Sequence, residues 1–144
     1  MTESTEDRPT VLIVDDESAI VDTLRILLKN EGFAAHVAFG GKQGLDQIAA
    51  LRPDVVISDI RMPAVTGIDL LSAARAQDPD VPVILMTAQA SLQSAIQAVN
   101  EGAFHYIQKP FRNDELVAIV KRAVEHRKWM LAPILQADAA AHVV

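Results

Sequence analysis

The segment Val11-Leu12-Ile13-Val14-Asp15-Asp16 is an uninterrupted apolar run that ends in two carboxylates. A second segment, Val55-Val56-Ile57-Ser58-Asp59, has the same arrangement and ends in one carboxylate. Short runs rich in Val and Ile, without polar residues at alternate positions, are typical of parallel strands that are covered on both faces. If both runs are strands of one parallel sheet, their acids meet at its carboxyl edge, where open α/β sheets bind ligands.

The rest of the chain alternates between apolar runs and amphipathic stretches. The strand candidates are Thr10–Val14, Ala34–Phe39, Asp54–Ser58, Val81–Thr87 and Phe104–Gln108. The helix candidates are Ser18–Asn30, Gly41–Leu51, Gly67–Gln77, Ser91–Asn100 and Asn113–Trp129. A five-fold alternation of strand and helix predicts an α/β fold, with a parallel sheet and helices on both of its faces.

The composition indicates a single folded domain of acidic character. The chain has 144 residues, half of them hydrophobic, and its formal net charge is −6. It has no cysteine, which excludes disulfides and thiolate metal sites. No apolar stretch approaches the roughly 18 residues that span a bilayer, so we expect no membrane association. An acidic domain also disfavours direct binding of nucleic acid.

The two ends differ from the middle of the chain. Residues 1–9 are polar and acidic, lack the basic and apolar parts of a signal peptide, and are expected to be a disordered extension. Residues 10–129 would form the domain. Residues 130–144 are Ala-rich and contain Pro133, which suggests a linker remnant or a frayed tail. Trp129 and the two apolar residues after it could pack on the core or continue as a coiled-coil linker.

Polar side chains from several strands are expected at one edge of the sheet. Asp15 and Asp16 follow the first strand, Asp59 the third, Thr87 the fourth and Lys109 the fifth. Carboxylates that lie close together resist ionising together unless a cation compensates them, and their oxygen ligands suit Mg²⁺. A hydroxyl and an ammonium group can hold phosphoryl oxygens. The set therefore indicates a site for a metal ion and a phosphoryl group.

The order and spacing of these motifs resemble the receiver domains of bacterial two-component response regulators. The acidic pair after the first strand, the segment Pro53–Pro63 around Asp59 and the later Gly67 carry the resemblance. So do the hydroxyl residue Thr87 and the segment Gly102–Phe111 with its Lys-Pro pair. The style of the fifth strand resembles the receivers of enhancer-binding transcription activators.

The resemblance implies a doubly wound (βα)5 flavodoxin-like sandwich of three layers, with strand order 2-1-3-4-5. It also implies that Asp59 accepts a phosphoryl group from a phosphohistidine. Asp16 and Asp59 would ligate Mg²⁺ directly, Asp15 mainly through water, and the main-chain carbonyl of Arg61 would be another ligand.

Further roles follow from the same resemblance. Lys109 would pair with Asp59 before reaction and with the phosphoryl group afterwards, and the Lys109-Pro110 bond would be cis. Thr87 would move to bind phosphoryl oxygens, with the small Ala88 leaving room for them. Tyr106 holds the position of the switch aromatic and would swing inward on activation.

The implied function is that of a cytoplasmic receiver that switches a face formed by the fourth helix, fifth strand and fifth helix. Its partner would be a sensor histidine kinase or a phosphotransfer protein, and the same face could form a homodimer. Its output would be the control of transcription, and it would have no enzymatic role beyond phosphotransfer to itself and autodephosphorylation.

Other functions remain open from the residues alone. A phosphohydrolase with an aspartate nucleophile would need a second Asp two residues later, where this chain has Arg61. A flavin carrier would need a neutral phosphate loop after the first strand, where the chain is acidic. A receiver that only binds proteins would be favoured if any of Asp16, Asp59 or Lys109 were missing, and none is. The basic run at Lys121, Arg122, His126, Arg127 and Lys128 is interpreted as a solvated helix face.

Overall fold

The computed structural model describes residues 8–143, with side chains described up to Met130. The strands are β1 (Thr10–Asp15), β2 (Ala34–Phe39), β3 (Val55–Asp59), β4 (Val83–Thr87) and β5 (His105–Gln108). The helices are α1 (Ser18–Asn30), α2 (Gly41–Leu51), α3 (Gly67–Gln77), α4 (Leu92–Asn100) and α5 (Asn113–Val143). Strand and helix alternate along the described chain, as the apolar runs predict.

All five strands are parallel and form one sheet in the order β2-β1-β3-β4-β5. The strand order reverses direction between β1 and β3, which is the position where such sheets open a crevice at their carboxyl edge. The expected doubly wound fold and strand order are confirmed.

Two apolar clusters cover the two faces of the sheet. One joins the strands to α1 and α5, with Leu24, Leu28, Leu116 and Val120 among its buried residues. The other joins the opposite face of the strands to α2 and α3, with Ile48, Leu70 and Leu71 among its buried residues. Alternate residues of β1 point into different clusters: Val11 and Ile13 into the first, Leu12 and Val14 into the second. This explains the continuous apolar runs of the sequence.

The last helix departs from the sequence-based expectation at its end. We expected it to stop at Trp129, but α5 continues to Val143 and passes through Pro133. Ala, Leu and Gln, which dominate this stretch, have high helix propensity, and the helix continues despite the backbone hydrogen bond that Pro133 cannot make. Residues 1–7 and 144, on which parts of the predictions about the ends fall, lie outside the described residues.

Arg127 also differs from the expectation, because we expected the whole basic run to be exposed to solvent. Its side chain is 18% exposed and contacts two acids at the amino edge of the sheet. Its Nη2 lies 2.7 Å from Asp78, after α3, and its Nε lies 3.4 Å from Asp54, before β3. The side chain therefore ties α5 to two loops. Within the described part of the chain, no helix is long and apolar enough to cross a membrane.

Candidate functional site

The register of the sheet brings the predicted site residues to its carboxyl edge. Val14 of β1 pairs with Ser58 of β3, so Asp15 and Asp59, which end these two strands, are neighbours. On the other side of β3, Asp59 pairs with Met86, which directly precedes Thr87. The main-chain N–H of Lys109 donates a hydrogen bond of 2.7 Å to the carbonyl of Thr87. Three strands and the loop after β5 thus surround one point.

Three carboxylates form a cluster at this point. One oxygen from each of Asp15, Asp16 and Asp59 can be chosen so that all three lie within 4.8 Å of one another. Asp15 is fully buried and Asp59 is 8% exposed, whereas Asp16 is exposed. Such a group of oxygen donors fits a hard divalent cation such as Mg²⁺.

Lys109 contacts two of these carboxylates. Its Nζ lies 2.7 Å from Oδ2 of Asp15 and 3.6 Å from Oδ1 of Asp59. The other oxygen of Asp15 accepts a hydrogen bond of 3.1 Å from the main-chain N–H of Glu17. We expected Lys109 to pair with Asp59, and in the structure its closer partner is Asp15. Asp15 lies deeper than Asp59, so the lysine neutralises the carboxylate that is fully removed from water.

The pKa of Asp59 is raised from 3.8 to about 6. Burial is the largest cause, because the charged carboxylate loses solvation. The positive charge of Lys109 lowers this pKa, while the negative charges of Asp15 and Asp16 raise it. The cluster thus makes the ionised form of Asp59 unfavourable unless more positive charge is supplied.

The pKa of Lys109 is raised above its ordinary value. Burial alone would lower it, but the hydrogen bond to Asp15 and the charges of Asp15, Asp59 and Glu17 outweigh that effect. Lys109 therefore remains positively charged within the acidic cluster at neutral pH.

The backbone of Asp59 is held by the start of α3. Thr66 caps this helix: its hydroxyl accepts a hydrogen bond from the N–H of Asp69, whose side chain accepts one from the N–H of Thr66. A Cβ at Gly67 would lie 2.4 Å from the carbonyl oxygen of Asp59, which is closer than atoms can pack. Glycine at position 67 is therefore required for α3 to begin against the strand that carries Asp59.

Thr87 and the loop after it lie beside the cluster. The Thr87 side chain is buried, and its Oγ1 accepts a hydrogen bond of 3.1 Å from the N–H of Gln89. Ala88 is exposed and lines the same surface groove as Lys109. The peptide bond between Lys109 and Pro110 is cis, as expected.

Tyr106 lies away from the carboxylates, on the side of β5 that faces α4. Its ring is half-buried against the cluster that α2 and α3 share, and its hydroxyl lies 2.5 Å from Oγ of Ser94. The sequence analysis did not single out Ser94. The spacing Ser91-x-x-Ser94 is a helix-capping signal that could have identified its position in the first turn of α4. Arg61 is exposed, and the metal-ligand role of its carbonyl stays a prediction.

Comparison with known proteins agrees with this geometry. The family model for the response regulator receiver domain matches residues 11–121. The DNA-binding transcriptional regulator NtrC of Escherichia coli K12 is 42% identical over 126 residues, which are 88% of this chain and 27% of NtrC. The regulatory protein AtoC of the same organism is 44% identical over 115 residues, which are 80% of this chain and 25% of AtoC. The chain thus spans about a quarter of the length of these relatives.

Solved structures show the same fold. A CheY-like response regulator receiver domain protein from Methanospirillum hungatei JF-1 has a TM-score of 0.83 and 30% identity, covering 86% of this chain and 99% of that one. NtrX from Brucella abortus, solved with ATP, has a TM-score of 0.79 and 31% identity, covering 85% of this chain and 28% of NtrX. With the family model matching most of its length, the chain belongs to the response regulator receiver domains of two-component systems.

Proposed function

We propose that this domain accepts a phosphoryl group on Asp59, and that this phosphorylation changes the conformation of its surface. In the reaction, an oxygen of the Asp59 carboxylate forms a bond to phosphorus. The bond between phosphorus and the imidazole nitrogen of a donor phosphohistidine breaks, and its electron pair stays on the imidazole. The domain would thus be a phosphoacceptor that dephosphorylates itself, rather than an enzyme that turns over external substrates.

The observation that carries the proposal is the different bonding of the two buried acids. Both oxygens of Asp15 accept hydrogen bonds, from Lys109 and from the N–H of Glu17. Asp59 has its nearest cation at 3.6 Å. A carboxylate that is less tightly hydrogen-bonded is the better nucleophile, which supports Asp59 as the acceptor.

The donor set fits Mg²⁺. The three carboxylates provide oxygen ligands and excess negative charge, and burial raises the pKa of Asp59 to about 6, so a cation would favour its reactive ionised form. Asp16 and Asp59 would hold the ion directly, with the Arg61 carbonyl as a further ligand, and Asp15 would act through water. When bound, Mg²⁺ supplies positive charge that stabilises the transferring phosphoryl oxygens.

Lys109 and Thr87 would hold the transferred group. The Nζ of Lys109 already lies between Asp15 and Asp59, so a short movement brings it to a phosphoryl oxygen. Thr87 would exchange its contact with the N–H of Gln89 for one with the phosphoryl group. That exchange moves the loop before α4, and the Tyr106 ring then packs in a different position.

The output surface would be the face of α4, β5 and α5. On α4, the side chains of Leu92, Ile96 and Val99 are 78%, 50% and 73% exposed and lie on one side of the helix. An apolar stripe of this kind supports recognition by an effector or by a second copy of the chain. Because the relatives include DNA-binding transcriptional regulators, we propose control of transcription as the output and the cytoplasm as the location.

A sensor histidine kinase or phosphotransfer protein would dock beside Asp59. A groove of about 530 Å³ opens there, and most of its lining is apolar. Its lining residues are Ala19, Ile20, Thr23, Leu24, Ala88, Lys109, Pro110 and Phe111. A helix of the donor protein that fills this groove would bring its phosphohistidine to the carboxylates.

Incubation with acetyl phosphate and Mg²⁺ tests the proposal directly. We expect intact-mass spectrometry to find one added phosphoryl group, removed by hydroxylamine as an acyl phosphate should be. The adduct should be absent in Asp59→Asn and without Mg²⁺. The control is Asp46→Asn, which removes an exposed acid on α2 and should react as the native chain does.

Two outcomes would replace the proposal with another function. An absent adduct in the native chain would favour a receiver that only binds proteins. Steady release of phosphate from nitrophenyl phosphate over many turnovers would favour a phosphohydrolase.

A further inference from the structure

Three hydroxyl groups meet where α4 begins, and they join this helix to β5. Ser94 Oγ lies 2.5 Å from the Tyr106 hydroxyl and 3.0 Å from Oγ of Ser91. It also accepts a hydrogen bond of 3.2 Å from the N–H of Ser91 and donates one of 3.1 Å to the Ser91 carbonyl. In return, the Ser91 hydroxyl accepts from the N–H of Ser94 at 3.1 Å.

The Ser94 hydroxyl cannot satisfy all of these neighbours at once. A hydroxyl group has one proton to donate and two lone pairs to accept with. The four contacts of Ser94 Oγ therefore compete for three positions. Whichever way the proton of Tyr106 points, its bond to Ser94 displaces one bond of the helix cap. The position of the Tyr106 ring and the cap of α4 thus depend on the same hydroxyl.

Little else holds α4 to the domain. Ala98 is the one buried residue in this helix, while Leu92, Ile96 and Val99 face outward. Within the described residues, the contact between Ser94 and Tyr106 is the one side-chain hydrogen bond between α4 and β5. It should therefore have a large share in setting where the first turn of α4 lies.

The same turn is connected to the carboxylate site. Thr87 accepts a hydrogen bond from the N–H of Gln89, two residues before Ser91 caps the helix. A movement of Thr87 shifts the segment that ends at Ser91, and so alters the contacts of Ser94. This step rests on the proposed function of Asp59 and Thr87.

We propose that Ser94 is a positioning residue for Tyr106. It ties the ring hydroxyl to the first turn of α4, so that the ring and the helix change position together when Asp59 is phosphorylated. Loss of the Ser94 hydroxyl then has the same effect on phosphorylation as loss of the Tyr106 hydroxyl.

The ring can be observed directly, because Tyr106 is the single tyrosine of the chain. In protein labelled with ¹³C-tyrosine, without any phosphodonor, we expect Ser94→Ala to shift the ring resonances. Ser94→Thr, which keeps a hydroxyl, should restore them. Gln93→Ala, which shortens an exposed side chain in the same turn of α4, should leave them close to their native positions.

Phosphorylation by acetyl phosphate provides the second measurement. We expect Ser94→Ala and Tyr106→Phe to change the fraction of phosphorylated Asp59 by similar factors of about 2 to 10, the effect of one hydrogen bond. The double variant should show no further change, because both substitutions remove one bond.

Three results would overturn the assignment of Ser94. These are unchanged ring resonances in Ser94→Ala, an equal shift in Gln93→Ala, or effects on phosphorylation that add in the double variant. If the native chain is not phosphorylated at all, the proposed function fails, and the ring resonances still decide whether Ser94 positions Tyr106.

Discussion

Lys109 lies closer to one of its two neighbouring carboxylates than to the other. The fully buried Asp15 receives the shorter contact, and Asp59 the longer one. The deeper acid is thereby neutralised and held in place, and the shallower one keeps an oxygen for reaction. The two carboxylates differ in chemistry because they differ in depth and hydrogen bonding, although each ends a strand of similar sequence.

The burial of Asp59 predicts a pH-dependent effect on stability. Since its pKa is raised to about 6, the folded chain binds this proton more tightly than the unfolded chain does. Ionisation of Asp59 therefore lowers the free energy of unfolding as the pH rises from about 4 to above 6. In EDTA, we expect Asp59→Asn to raise the free energy of unfolding by about 1–3 kcal/mol at pH 7.5, and by much less at pH 4.

Urea denaturation at the two pH values measures this difference. Asp46→Asn serves as the control and should change the free energy of unfolding by less than about 0.5 kcal/mol at either pH. An equal gain at both pH values, or a loss at pH 7.5, would contradict the assigned role of burial.

Packing between secondary-structure elements holds the carboxylate site in position. The start of α3 packs on the backbone of Asp59, and only a residue without a side chain fits there. The Cβ of Gly67→Ala would meet main-chain atoms, which cannot turn away as a side chain can.

We therefore expect Gly67→Ala to lower the free energy of unfolding by about 1–3 kcal/mol and to slow phosphorylation of Asp59. The matched control is Gly44→Ala in α2, where the added Cβ would meet side-chain atoms of Leu70 and Val14 at 3.0–3.1 Å. These can shift, so the loss should be smaller. Chemical denaturation and acetyl phosphate kinetics measure both effects, and equal losses in the two variants would refute the argument.

A second contact between elements lies at the opposite edge of the sheet. Arg127 joins α5 to Asp54 and Asp78, and its largely buried side chain loses little to solvent screening. We expect Arg127→Ala to lower the free energy of unfolding by about 1–2 kcal/mol.

Lys128→Ala removes a neighbouring charge that is 68% exposed, and should change the stability by less than about 0.5 kcal/mol. Urea titrations of both variants provide the comparison. If Arg127→Ala proved as mild as Lys128→Ala, the ion pairs would not contribute to holding α5.

At the scale of the whole molecule, the packing of α5 suggests where the domain ends. Its described buried residues lie between Leu116 and Val124, and Arg127 makes the last contact with the acids at the sheet edge. We therefore propose that a chain ending at Met130 keeps both apolar clusters that cover the sheet.

The prediction is that such a chain unfolds within about 2 °C of the full chain and is phosphorylated at the same rate, because it keeps the buried residues of α5 from Leu116 to Val124 and the ion pairs of Arg127. Circular dichroism melts and acetyl phosphate kinetics test this. A fall of more than about 5 °C would place part of the folding energy in the residues beyond Met130.

The sequence predicted the sheet well, because its strands are continuous apolar runs and its helices have clear apolar faces. It also predicted that the three carboxylates and Lys109 lie together, because parallel strands bring their ends to one edge. It could not predict that Lys109 lies closer to Asp15 than to Asp59, since that depends on how deeply each carboxylate is buried. Nor could it predict the Arg127 and Ser94 contacts, which join residues far apart in the chain. The predicted end of α5 at Trp129 was wrong because local helix propensity outweighed the helix-breaking effect of Pro133.

The exposed surface of α4 has a consequence for how the molecule moves. Since Ala98 is the one buried residue of this helix, detaching α4 removes a single small side chain from the second apolar cluster and leaves the first unchanged. The helix should open locally with a free energy far below that of global unfolding. Its amide protons should then exchange with deuterium well before those of the strands, which would make α4 the least protected helix of the core domain. A modest chemical event at the sheet edge could therefore displace α4 while the rest of the fold stays closed.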